Sequence, residues 1–442
     1  MTGFPPPDPV AAALNAHFGP EFGRAFSGDA AYTLEPLQKA LARLGDPHRR
    51  LPPVIHIAGT NGKGSTAAFA RSVLETAGLK VHAFTQPHLL HTTERLTVAS
   101  QPISEEAFLA LINRVAGPGQ SLSHFEAQTA CALLAFAETK ADAVVLEVGM
   151  GGLLDATNVV PNPAVCLITM IGEDHKQALG ATLPAIARHK AGIIKPGAHV
   201  ITAPQDDPAV DRVFEAQAMR TRCPLLMGGV DWTARAEDGN LLIETNAELI
   251  QLPLPRLPGA HQRENAALAV LGARALAPDE MSRHPMAVGI VAATWPGRLQ
   301  RLTQGPLAAR AESLGHALYV DGGHNPPAAE ALARWMASQM NPVGVIVGML
   351  ADKDAVGFLE PFAAQGVSGV VAVQARGPRP AMTQTALAQA AKRVGLRAIA
   401  RADDLPEAIT RAAAFQPRQG RLLITGSLSL VAEALFLSGK TG

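Results

Sequence analysis

Val54-Ile55-His56-Ile57, followed by Gly59-Thr60-Asn61-Gly62-Lys63-Gly64-Ser65, is the stretch from which this chain is best read. The first four residues form a short β-rich run of the kind that makes a buried parallel strand. A glycine-rich turn follows, and a helical pattern then covers Ser65 to Ala77. Strand, turn and helix N-terminus together make an anion site. Glycines let backbone N–H groups curl toward phosphate oxygens, and the helix dipole adds positive potential. On this reading Gly59, Thr60, Asn61, Gly62, Gly64 and Thr66 cradle the phosphates of a nucleotide. Lys63 meets the outer phosphates and the Ser65 hydroxyl reaches Mg²⁺. The spacing departs from G-x-x-x-x-G-K-[ST], because Gly64 separates Lys63 from Ser65. A tight glycine turn with a solvent-facing lysine is the alternative.

Outward from this loop, apolar runs alternate with helical patterns. Val54 to Ile57, Ala143 to Val148, Ala164 to Thr169 and His199 to Thr202 read as parallel strands, with helices at Glu105 to Val115 and Phe125 to Glu138 between them. Such alternation predicts an α/β fold with a doubly wound sheet. Val230 to Leu257 reads differently, as a small antiparallel patch with turns at Gly229, Asp238 and Gly239. Trp295-Pro296-Gly297 marks a break. Beyond it the alternation restarts, with strands at Ala317 to Val320, Val343 to Val347, Gly369 to Val373 and Leu422 to Thr425. The domains are therefore placed at 1–296 and 297–442, the second a smaller Rossmann-like α/β unit. A chain of 442 residues is long enough for both.

Lys plus Arg and Asp plus Glu both number 38, so no net field favours nucleic acid or an anionic membrane. Cys131, Cys166 and Cys223 are too few and too scattered for a disulfide framework or a zinc site. No apolar run is long enough to span a bilayer, and the first ten residues lack a secretory pattern. A cytoplasmic location is expected.

The segment Gly59 to Ser65 resembles the loop of the Mur ligase superfamily, and more closely that of the folylpolyglutamate synthase/dihydrofolate synthase family. The likeness runs from about Tyr32 to Glu433. It takes in Tyr32-Thr33-Leu34-Glu35, Pro87-His88-Leu89, Glu94-Arg95-Leu96, Phe125-Glu126, Glu147 to Gly152, Leu154 to Asn158, Asp174-His175, Lys190 to Ile193, Asp321 to Pro326, and Asp352-Lys353-Asp354. Gln86, Leu153, His189, Gly323 and Ser429 depart from its pattern. The resemblance implies a monomeric ligase that uses ATP to activate the carboxylate of dihydropteroate or a reduced folate as an acyl phosphate, then joins it to the amine of L-glutamate. It also implies two Mg²⁺ sites, one held through a carbamylated Lys190, and a K⁺ ion.

The residues bear this out to different degrees. Glu147 ends an apolar strand, where open α/β sheets bind ligands, and it suits Mg²⁺ together with Ser65. His175 reads equally as a structural histidine and as a metal contact. Lys190 read alone is a surface lysine; only the resemblance makes it catalytic. Asn265 is placed near adenine or ribose by likeness, and Arg298, beside the Pro296-Gly297 hinge, near the phosphates on domain closure, with a helix cap and a solvated arginine as the plain alternatives. Asp321 and His324 are the catalytic candidates of the smaller domain, although Asn325-Pro326 also reads as ordinary helix initiation. Phe84, Phe125, Pro87, His88, Arg95 and Asp155 are expected to hold the flat pteroate. An acyl phosphate must be kept from water, and closure of the smaller domain would do that. Two other readings stand beside this one. A peptide ligase of Mur type carries an extra N-terminal domain, for which the roughly fifty residues before the first strand leave no room. A nucleotide-dependent switch gives no purpose to Asp321-Gly322-Gly323-His324-Asn325.

Overall fold

The computed structural model describes residues 8–19, 33–118, 121–367, 369–417 and 419–439. Tyr32, at the head of one motif, lies outside them. The chain divides into two compact units. The larger holds Pro7–Arg256 and His261–Thr294; the smaller holds Trp295–Gly442 together with the short segment Leu257–Ala260.

The larger unit is built on an eight-stranded sheet. Its spatial order is Gln101–Pro102, Leu96–Val98, Val81–Phe84, Ala143–Glu147, Val54–Ala58, Val165–Ile168, His199–Thr202 and Leu225–Met227. The six strands from Val81–Phe84 onward pair in parallel; Leu96–Val98 and Gln101–Pro102 are joined antiparallel at one edge. Val54–Ala58 and Ala143–Glu147 are buried at every position, as strands covered on both faces must be. Phe84, Phe108 and Phe136 pack with Val144 and Leu146 in one core cluster. Ala58, Cys166, Ile168 and Val200 belong to another, which includes Ile186 and Phe214 from covering helices. The antiparallel patch forms as read, with strands Trp232–Glu237, Asn240–Thr245 and Leu249–Pro253. The short strands Val81–Phe84, Leu96–Val98 and Leu225–Met227 were not anticipated, because three or four residues carry too little periodicity.

Helix starts follow local chemistry. Ser104 and Ser123 accept backbone N–H groups at the heads of Glu105–Val115 and His124–Glu138, and Glu126 completes a capping box in the second. The smaller unit has a six-stranded sheet in the order Gln300–Leu302, Ala317–Val320, Arg421–Thr425, Val343–Val347, Val370–Val373 and Ile399–Ala402. It is parallel apart from the edge strand Gln300–Leu302. Among the described residues, no helix is long and apolar enough to cross a membrane.

One contact fixes the helix that carries the phosphate loop. Helix Lys63–Thr76 lies against helices His261–Leu276 and Arg283–Ala292. At the second crossing Ser72 donates to the Gly289 carbonyl at 2.8 Å. A Cβ on Gly289 would stand 2.5 Å from the Val73 Cα, a backbone atom that cannot swing aside. Gly289→Ala is therefore expected to destabilise the protein by on the order of 1–2 kcal/mol, despite the better helix propensity of alanine. Urea unfolding should show a lower midpoint with an unchanged slope.

Candidate active site

The turn between strand Val54–Ala58 and helix Lys63–Thr76 is walled so closely that only glycine fits. Gly59 and Gly62 have φ of 146° and 90°. A Cβ on Gly59 would lie 1.7 Å from the Thr169 Oγ1, and one on Gly62 would lie 2.4 Å from the Asn265 Oδ1. The helix begins at Lys63, so the N–H groups of Lys63, Gly64 and Ser65 in its first turn have no intrahelical carbonyl to serve, while the Thr66 N–H donates to Gly62 O at 2.8 Å. Thr60 ties the loop to the next strand's end, its N–H donating to Met170 O at 3.0 Å and its hydroxyl to Gly172 O at 3.1 Å. Ser65 is buried, with the Gln262 amide 3.3 Å from its hydroxyl, and Gln262 in turn accepts from Asn265 at 3.0 Å. Asn265 thus braces the phosphate turn. Among the described residues the buried Thr66 Oγ1 has no partner.

Two lysines converge on one carbonyl. Lys63 Nζ donates to Gly59 O at 3.0 Å and to Thr60 O at 3.1 Å, and Lys190 Nζ donates to Gly59 O at 2.7 Å. Lys190 is buried, not the surface lysine that its helix alone suggests. Burial, then repulsion from Lys63, holds its ammonium well below the usual lysine range, against the opposing pull of Asp174 and Asp155. The helix bearing it, Leu183–Ala191, comes close because Gly152 lacks a side chain; a Cβ there would meet the His189 carbonyl at 2.7 Å.

Glu147 lies buried at the C-terminal end of its strand and accepts the Gln86 N–H at 2.9 Å. Ser65 and Glu147 offer oxygen donors, the kind a hard divalent cation takes. Among the described residues no three His, Cys, Asp or Glu side chains gather as a cage. Mg²⁺ does not require one, since it is usually held by one or two carboxylates, waters and substrate phosphates. Lys190 as an ammonium donates hydrogen bonds and cannot ligate. His175 heads a short helix with φ of 50°, its ring 3.8 Å from the Asp174 carboxylate and partly open to solvent.

The residues expected around a flat substrate divide into two groups. Phe125 is half-buried and stacks on Phe84 with ring centroids 6.1 Å apart. Phe84 itself is fully buried. Its expected place in the slot is corrected to one behind Phe125, because a strand residue inside a covered sheet faces the core. Asp155 is corrected similarly. Its carboxylate accepts from Met150 N at 2.9 Å, Thr157 N at 3.0 Å and the Thr157 hydroxyl at 2.6 Å. Burial pushes its pKa up against these bonds, so it organises the Gly149 to Thr157 loop. His88 takes the Arg95 Nε at 2.8 Å, and Arg95 is buried with its Nη1 on Gln128 at 2.6 Å. Pro87 follows a cis peptide bond from Gln86. Gln262, Thr169, Thr157 and His56, whose ring lies 2.8 Å from the Thr157 hydroxyl, complete the site's supports. Apart from Gln262, none was singled out from sequence as a contact, since each acts through a neighbour distant in the chain.

In the smaller unit, Asp321 follows strand Ala317–Val320 and is buried. It accepts N–H groups from Leu299 at 2.8 Å and Gly323 at 2.7 Å. Burial raises its pKa while the neighbouring Arg298 lowers it. His324 Nδ1 lies 2.9 Å from Gly322 O. Asn325 caps helix Pro326–Ala337, so the plain reading of Asn325-Pro326 holds.

Comparison with known proteins gives one answer along the chain. Residues 57–273 match the Mur ligase middle domain and residues 305–428 the Mur ligase glutamate ligase domain. The Bacillus subtilis dihydrofolate synthase/folylpolyglutamate synthase is 36% identical over 345 residues, which cover 72% of this chain and 75% of that protein. The structure of Escherichia coli FolC in complex with DHPP and ADP superposes with a TM-score of 0.84 at 31% identity, covering 98% of each chain. The Yersinia pestis bifunctional folylpolyglutamate synthase/dihydrofolate synthase complexed with AMPPNP and a Mn ion gives 0.82 at 29% identity, again over 98% of each. The family named from sequence motifs is the one found: this chain belongs to the Mur ligases, among the dihydrofolate synthase/folylpolyglutamate synthase enzymes, which are ATP-dependent, amide-forming ligases.

Proposed function

We propose that this chain joins L-glutamate to dihydropteroate and to reduced-folate (poly)glutamates, with ATP as the activating substrate. The observation that carries the reading is the glycine-walled turn with Lys63 and Lys190 both on the Gly59 carbonyl. Two ammonium groups near one turn repel each other, and a triphosphate relieves that repulsion. The complexes of the relatives with DHPP, ADP, AMPPNP and Mn support the same assignment of substrates and a divalent cation.

In the first step an oxygen of the substrate carboxylate attacks the γ-phosphorus of ATP. The bond from that phosphorus to the β,γ-bridging oxygen breaks, and ADP leaves. Both reactants are anions, so Lys63 and the first-turn N–H groups of its helix stabilise the charge that builds on the transferring phosphoryl group. A divalent ion would be held by Ser65 and Glu147, with His175 as a further candidate, and would supply charge neutralisation of the same kind. In the second step the glutamate amine attacks the acyl carbon, phosphate departs and the amine loses a proton. The 1–296 region is the ATP-binding domain and 297–442 the glutamate ligase domain, with Asp321, His324 and Arg298 assigned to nucleotide and amide chemistry. Phe125, His88 and Pro87 face the pteroate; Arg95 holds His88. A cytoplasmic setting suits the three free thiols.

Lys190 is proposed to work as a carbamate. Its depressed basicity raises the share of neutral amine, and only the neutral nitrogen attacks CO₂, forming the N–C bond and releasing a proton. The product is an oxygen donor suited to a second cation.

Labelled glutamate should enter amide product with either dihydropteroate or tetrahydrofolate in the presence of ATP; phosphate release that ignores both acceptor and glutamate would contradict the assignment. Lys63→Ala should cut kcat on the order of a hundredfold or more, with unfolding unchanged. Exhaustive removal of CO₂ should lower activity, and bicarbonate should restore it. At fixed dissolved CO₂, reactivation should quicken as pH rises and more of the Lys190 amine is neutral. Lys190→Arg should be inactive and unresponsive to bicarbonate.

A further inference from the structure

A cavity of about 460 Å³ opens in the smaller unit at the N-terminal ends of strands Ala317–Val320 and Arg421–Thr425. Asp321 follows the first of these strands at its opposite end. Its size is that of a small-molecule site. Arg301, Thr303, Glu312, His316, Tyr319 and Arg421 are among the groups on its wall.

Sheet register explains why these groups meet. Arg301 sits opposite Tyr319 across the antiparallel edge pair, and Arg421 sits beside Ala317, two residues before Tyr319. Arg301, Tyr319 and Arg421 therefore emerge on one face of the sheet. Gln300–Leu302 is an edge strand, which leaves that side open.

Two observations point to a ligand. Among the described residues neither guanidinium has an acidic partner, although Arg421 is half-buried. His316 is only 6% exposed, yet its Nδ1 has no hydrogen-bond partner. The Gly420 backbone lies beside this nitrogen. Burial holds the imidazole below its ordinary value, with Gly420 acting in the opposite sense, so the ring is mainly neutral at pH 7. A buried polar atom left unpaired is costly, and a ligand oxygen or hydroxyl would pair it.

We propose that this cavity binds a small oxyanion-bearing molecule, a dicarboxylate or a phosphate compound, on residues distinct from those of the Asp321 turn. The two guanidiniums present planar forks that match carboxylate and phosphate oxygens. His316 and Thr303 supply polar contacts to the rest of the ligand. The proposal is independent of the reaction assigned above.

The chain has two tyrosines, Tyr32 and Tyr319, which makes a local probe available. The full-length protein labelled with fluorotyrosine is titrated with inorganic phosphate and, separately, with glutarate, at constant ionic strength. Tyr319→Phe assigns the fluorine signal. The Tyr319 signal is expected to move saturably, and the probe that moves it identifies phosphate or dicarboxylate chemistry. Arg301→Ala/Arg421→Ala should weaken that response at least about tenfold. Arg301→Lys/Arg421→Lys, which keeps both charges and loses the forks, should weaken it too. Ligase turnover without the probe should be unchanged in both variants. A Tyr319 signal that stays still with both probes, drifts without saturation, or moves equally in the lysine variant would overturn the proposal.

Discussion

The Gly59 carbonyl accepts hydrogen bonds from Lys63 and Lys190, two ammonium groups belonging to helices far apart in the chain. That shared acceptor is possible because nothing projects from the turn. The Thr169 hydroxyl and the Asn265 amide occupy the space where side chains at Gly59 and Gly62 would stand. The turn therefore cannot relax outward, and its N–H groups are held in place before any anion arrives. Such preorganisation removes the reorganisation cost that water would otherwise meet at each turnover.

The close approach propagates. Helix Leu183–Ala191 carries Lys190 inward only because Gly152 gives way to the His189 carbonyl, and the Gly152 segment is ordered in turn by Asp155. Asp155 is bound to Thr157, whose hydroxyl lies beside the His56 ring on the central strand. Burial drives that histidine down to about 3, so it stays neutral and its ring can serve as a fixed hydrogen-bonding group. A line of buried polar contacts thus links strand Val54–Ala58 to the loop that receives the Lys190 helix.

The smaller unit repeats the device with different residues. Asp321 leaves the end of its strand and ties down the N–H groups of Leu299 and Gly323, so a carboxylate shapes a turn beside Arg298. In both units the chemistry-bearing groups sit at the C-terminal edge of a parallel sheet, where strand ends and helix starts leave backbone groups unpaired.

Much of this was legible in the amino-acid order. Strand, glycine turn and helix around Lys63 are set by local conformational preferences, and the antiparallel patch between Trp232 and Pro253 announces itself through turn residues and alternation. Helix caps at Ser123 and Asn325 are equally local. Tertiary structure decided the rest. Lys190 reads as a surface lysine in its own helix and becomes buried only when Gly152 admits that helix. Phe84 and Asp155, expected against a ligand, are buried: Phe84 lies on a strand inside the covered sheet, and Asp155 turns in to accept the N–H groups of Met150 and Thr157. Asn265 belongs to the phosphate turn because helix His261–Leu276 packs along helix Lys63–Thr76, a contact between segments some two hundred residues apart. Periodicity specifies which face of an element is buried. Which distant element covers that face, and so which side chains share a carbonyl or a cavity, depends on a packing arrangement that no local spacing records.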